Sequence, residues 1–127
     1  GLIRFEMHPF PLDGLALRAH ALCRTLPTDS YFKMVDTLLD NQETWIGDSD
    51  PVAKLKKYAK FAGISSSAFN DIMRNRKYLE TIVQLRQNAA SKHEISSTPS
   101  FVINNDKTFS GALSFDEFLA ELNAFGI

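Results

Sequence analysis

The side chains able to do chemistry are few and scattered: one cysteine, Cys23, and three histidines, His8, His20 and His93. A single thiol closes no internal disulfide, and histidines this far apart offer no four-ligand zinc spacing. Cys23 lies mid-helix among Ala19, Ala21 and Leu22. No helix N-terminus or cationic cap is at hand to draw out its proton, so it reads as a buried structural thiol. His8 reads as a surface or loop histidine at a strand end, His20 as a helix-face histidine, and His93 as a residue without a visible partner. Ser65-Ser66-Ser67 has no histidine at triad spacing and suits a helix cap. Lys54, Lys56, Lys57 and Lys60 form a solvated helix face rather than a phosphate site. Trp45 reads as an aromatic lid on a helical block. Thr98-Pro99, judged on residue type alone, is a turn with a trans bond, since only about 5–6% of X-Pro bonds in folded proteins are cis.

The elements that must hold these residues follow from patterning. Ile3, Phe5 and Met7 alternate with Arg4, Glu6 and His8, which predicts a short strand. Pro9 and Pro11 end it by removing donors and fixing φ. Asp13 caps a helix through Leu15, Ala19, Leu22 and Cys23 that stops before Pro27. Ser30 caps a second helix with Tyr31, Met34, Val35, Leu38 and Leu39 on one face. Residues 42–49 are expected to form a loop. Asp50-Pro51 opens a helix that Gly63 closes. Its buried stripe is Val52, Leu55, Tyr58, Ala59 and Ala62. Ser65 caps a short helix through Phe69, Ile72 and Met73. A longer helix runs from about Arg76 to His93. Phe101-Val102-Ile103, the turn Asn104-Asn105-Asp106 and residues 107–110 make a β-hairpin, broken at Gly111. Ser114 and Glu117 have capping-box spacing for a last helix with Phe118, Leu119, Leu122 and Phe125.

With 127 residues, 44% apolar and 23% charged, the chain has the size and composition of one globular domain that folds without disulfides. Fourteen basic residues against fifteen acidic ones provide no overall field to attract nucleic acid or an anionic membrane. No apolar run reaches the ~20 residues of a membrane helix. Residues 1–5 do not have the form of a signal peptide.

Taken in order, several segments resemble the DsbA-like thiol-disulfide oxidoreductases. Phe10-Pro11-Leu12-Asp13, followed by Leu15-Ala16-Leu17 and Ala19-His20-Ala21-Leu22-Cys23-Arg24, is similar to that family's strand-to-helix entry. Tyr31-Phe32 and Gln42-Glu43-Thr44-Trp45 fit the next segments. Ile95-Ser96-Ser97-Thr98-Pro99-Ser100-Phe101-Val102-Ile103-Asn104, then Phe109-Ser110-Gly111-Ala112, resembles the family's cis-proline loop and hairpin. The likeness runs over essentially the whole chain.

The resemblance implies an α/β, thioredoxin-like fold with a helical insertion. Residues 1–11 and about 76–127 would form the thioredoxin-like parts, and about 12–75 the insertion. It also implies that Pro99 is cis and that Thr98 and Pro99 hold an extended thiol-containing protein or peptide substrate by strand addition. The family's Cys-x-x-Cys segment, where a helix N-terminus stabilises the thiolate, has no counterpart here. The fold is therefore expected to be incomplete at its N-terminus, without the first strand and active-site helix, and the chain is expected to be inactive alone. No catalytic residue, metal site or cofactor is expected within it. Some family members pair the cysteine corresponding to Cys23 with another, whose place here is Ile72.

In that family the first strand lies centrally. With strands about 4.8 Å apart, its omission would leave residues 3–8 and 100–104 with unpaired backbone groups. The chain should then borrow a strand from another chain, pair those segments directly, or oligomerise. An exported, periplasmic location and a membrane redox partner are implied by the resemblance alone. Two other readings stay open: a redox-inactive peptide-binding module of the same fold, which these residues satisfy, and a kappa-like glutathione transferase or isomerase, for which they give no independent support.

Overall fold

Asp13 starts the first helix by accepting the N–H groups of Leu15 and Ala16 at 2.9 and 2.7 Å on Oδ1, two of the four donors that a helix start leaves unpaired. The computed structural model describes residues 3–127. It divides into two compact units, one made of Pro11–Gln84 and the other of the segment ending at Phe10 with Leu85–Ile127.

In the helical unit, α1 (Gly14–Cys23) is followed by α2 (Thr28–Asp40). The second helix begins earlier than Ser30, the expected cap. Pro27 sits at the start, and its carbonyl accepts Ser30 and Tyr31 N–H at 2.9 and 2.8 Å. Part of the expected loop over 42–49 is instead a short helix, α3 (Gln42–Ile46). Its formation follows from Trp45, which is buried and donates its indole N–H to the Leu38 carbonyl at 2.8 Å. That carbonyl lies in the last turn of α2, where backbone acceptors have no partner within the helix.

The next helix, α4 (Pro51–Phe61), has Asp50 as its cap, accepting Ala53 N–H at 3.0 Å. It ends in a Schellman motif. Gly63, at φ +85°, donates to Lys60, and Ile64 donates to Ala59, satisfying two orphan carbonyls. Ala62, expected in the buried stripe, is exposed because it caps the helix end. Ser65 caps α5 (Ser66–Arg74) through Ala68 N–H at 3.1 Å.

Leu22, Cys23, Met34, Leu38, Trp45, Leu55, Ala59 and Phe69 form one buried core in this unit. Each large side chain there contributes about 1.5–3 kcal/mol by leaving water. The next helix, α6 (Arg76–His93), buries Ile82, and the hydroxyl of its Tyr78 donates to the Ala21 carbonyl at 3.0 Å.

The second unit contains the end of α6, a hairpin and α7 (Phe115–Asn123). Strands β1 (Ser100–Ile103) and β2 (Lys107–Ser110) pair antiparallel with Phe101 opposite Phe109 and Ile103 opposite Lys107. The turn uses Asn104 and Asn105 at φ +51° and +59°, a region that asparagine tolerates better than most residues. Ser114 and Glu117 form a reciprocal capping box at the start of α7. Phe118 then meets Phe101 and Phe109, with ring centroids 5.0 and 5.9 Å away.

The strand expected over Ile3–His8 is not formed. These residues carry no regular structure, all six are exposed, and β1 and β2 make the only sheet among the described residues. Direct pairing of residues 3–8 with 100–104 is therefore absent in the single chain. Alternation favours a strand only where one face can be buried and a neighbour takes up the backbone groups. Here all six residues stay exposed, so no face is buried.

Candidate functional site

Thr98 and Pro99 lead directly into β1. Both are exposed, and the peptide bond between them is cis. The loop is held from both ends by short local bonds. Gly111, at φ +103°, donates its N–H to the Pro99 carbonyl at 2.8 Å. Ser100 Oγ donates to the Ser97 carbonyl at 2.6 Å and lies 2.8 Å from Ser110 Oγ.

Hydrogen bonding alternates along an antiparallel pair. Since Gly111 bonds Pro99, the bonded pairs that follow are Phe101 with Phe109 and Ile103 with Lys107. The backbone groups of Ser100 and Val102 consequently point away from β2, along the free side of β1. Thr98 lies at the head of that free side, and among the described residues no hydrogen bond reaches its N–H or C=O. An extended chain running past Thr98 would find backbone donors and acceptors in a row.

Gly111, Ser97 and Ser110 support this loop and were not singled out from sequence as site residues. The signal was present in Ser110-Gly111. A glycine at the end of a strand marks a backbone conformation that other residues rarely adopt.

Cys23 belongs to the helical unit, is 3% exposed, and burial pushes its thiol up to about 12. A thiol held protonated in this way is neither a nucleophile nor a leaving group near neutral pH. His20, on the same helix, is lowered from its ordinary value first by burial and then by the Arg24 cation. It has no acid or nucleophile placed against it in the described hydrogen bonds. His8 faces Glu6 at 3.5 Å on the surface. Among the described residues no three His, Cys, Asp or Glu side chains come together as a metal site, and no helix is long and apolar enough to cross a membrane.

The lysine row on α4 is partly committed to neighbours. Lys54 pairs with Asp48 at 3.3 Å and Lys56 donates to Asn70 at 3.2 Å. Among the described residues, the Thr98–Pro99 loop combines exposure, polar backbone groups and local support.

A family model described as Thioredoxin matches residues 1–124. No curated protein and no solved structure matches the chain.

Proposed function

The chain belongs to the thioredoxin family, and from that premise we propose that it serves thiol-disulfide exchange of the DsbA kind, with Thr98 and Pro99 as the substrate-binding loop. The observation that carries this reading is the family match over 1–124, taken with the exposed loop that opens β1. Such exchange moves two electrons. A substrate thiolate attacks one sulfur of a disulfide, a mixed disulfide forms, and a second substrate thiolate displaces the first sulfur. The two protons given up by the substrate thiols are taken up by the carrier sulfurs, so the substrate ends as a disulfide and the carrier as a dithiol.

These 127 residues hold one cysteine, and it is buried. The reactive pair in this proposal is therefore supplied from outside residues 1–127. The chain's own share is to hold the substrate strand against Thr98 while the sulfurs react. An exported, oxidising compartment and a membrane partner that restores the disulfide belong to the same proposal.

A peptide-oxidation assay on the natural polypeptide containing this chain tests it. Dithiol oxidation that slows when Thr98→Pro removes the Thr98 N–H supports the reading. A polypeptide that has a Cys-x-x-Cys pair and oxidises nothing overturns it.

The single buried thiol favours one other reading, a peptide-binding module of the same family without redox chemistry. Binding of cysteine-free extended peptides as tightly as cysteine-containing ones, with no exchange in the natural polypeptide, would select it.

A further inference from the structure

A proton count fixes the direction of hydrogen bonding between the two serine hydroxyls beside the loop. Ser100 Oγ gives its one proton to the Ser97 carbonyl at 2.6 Å. At the 2.8 Å contact between Ser100 Oγ and Ser110 Oγ, Ser110 must therefore be the donor. The result is a directed relay from Ser110 to Ser100 to the Ser97 carbonyl. It follows from the hairpin register, which sets Ser100 directly opposite Ser110. They form a non-hydrogen-bonded pair, the kind whose side chains approach most closely.

The relay ends on an oxygen that shares a peptide plane with the Thr98 N–H. Thr98–Pro99 is the only cis bond among the described residues, so the Ser97–Thr98 bond is trans. In a trans peptide the C=O and the N–H lie in one plane and point in opposite directions. Turning the Ser97 carbonyl onto Ser100 thus aims the Thr98 N–H away from the Ser100 side chain. The next peptide unit carries no donor, because proline has no N–H. The unit after it is fixed by the bond from Gly111 to the Pro99 carbonyl at 2.8 Å. Thr98 offers the sole N–H of residues 98–99, and a serine two residues on sets its direction.

We propose that Ser100, backed by Ser110, is a positioning residue that holds the Thr98 N–H in the orientation that receives an extended substrate. The inference rests on Thr98 being the substrate-binding group of the redox reading. It adds to that reading a side chain that touches neither substrate nor sulfur. The serine bonds lie at the surface, where water can replace the one lost by the Ser97 carbonyl. Removing the Ser100 hydroxyl therefore releases the peptide plane while the fold is kept. The loss falls on substrate binding rather than on stability.

The test uses the natural polypeptide containing this chain and a reduced dithiol peptide. Ser100→Ala should raise KM about three- to tenfold, the worth of one oriented hydrogen bond, with little change in kcat or in the urea midpoint. Ser100→Thr keeps the hydroxyl on a residue suited to a strand and should restore KM. Ser110→Ala leaves the Ser100–Ser97 bond in place and should have the smaller effect. An unchanged KM in Ser100→Ala overturns the proposal. So does a Ser100→Thr variant as impaired as Ser100→Ala, or a larger effect from Ser110→Ala than from Ser100→Ala. A polypeptide that oxidises nothing sinks the redox reading alone, and fluorescence anisotropy with a labelled cysteine-free extended peptide then decides. Weaker binding in Ser100→Ala, restored in Ser100→Thr, supports the positioning role; binding indifferent to both substitutions overturns it.

Discussion

Gly111 donates its N–H to the carbonyl of Pro99 at 2.8 Å, which extends the hairpin ladder one pair beyond Ser100 and Ser110. Thr98 is thereby the first residue outside the ladder, and the orientation of every backbone group along β1 follows from this bond. The contact depends on a backbone angle, φ +103°, at a glycine with no heavy atom within 4 Å of an added Cβ.

Gly111→Ala should therefore destabilise the chain without any steric clash. The expected cost is about 1–2 kcal/mol, from conformation alone. Urea unfolding measures it. A variant as stable as the parent would show that the loop has another way to hold Pro99.

Trp45→Phe keeps most of the buried ring but removes the donor to the Leu38 carbonyl. It should cost about 1–3 kcal/mol, because a buried acceptor loses its partner. The helical content contributed by Gln42–Ile46 should fall with it, which amide exchange at residues 44–46 would reveal.

Cys23 should react with a thiol reagent slowly in the folded chain and rapidly in denaturant. Its pKa is raised from an ordinary value of 9.0 to about 12 by burial. The folded state thus holds the thiol proton more tightly than the unfolded state does. Its contribution to stability is complete below pH 9 and is lost as pH rises towards about 12. Cys23→Ala should flatten the alkaline fall of the unfolding midpoint over that interval.

Glu117 is shifted the other way. Hydrogen bonds from the Ser114 hydroxyl and N–H hold its carboxyl below the usual 4.5. The stabilisation is present above that pH and disappears as the solution is acidified through the lowered value. Glu117→Gln should remove this acid-side loss. Ser114→Ala, which deletes the cap itself, should cost about 1 kcal/mol at neutral pH. Thermal melts across the acid range would separate the two effects.

The Tyr31 hydroxyl is buried without a hydrogen-bond partner among the described residues. Tyr31→Phe should accordingly leave the fold intact and raise stability by about 1 kcal/mol. Loss of stability would mean that the hydroxyl is satisfied in solution.

Helix starts at Asp13, Asp50, Ser65 and Ser114, and the stop at Gly63, were legible because each is decided by atoms within a few residues in sequence. The turn at Asn104-Asn105 and the capping box of α7 belong to the same class. The α2 start was misplaced at Ser30 because Pro27, three residues earlier, also suits a helix entrance. The burial of Cys23 was legible from its small apolar neighbours. The Thr98–Pro99 segment stood out only through its likeness to a family motif, since local sequence favours the opposite isomer.

Two features waited on distant atoms. Residues 42–46 became a helix once the Trp45 indole reached back to α2 and left the solvent. Ile3–His8 kept a strand's alternation and did not become one. A strand is completed by a neighbour's backbone and a buried face, and six residues carry neither within themselves.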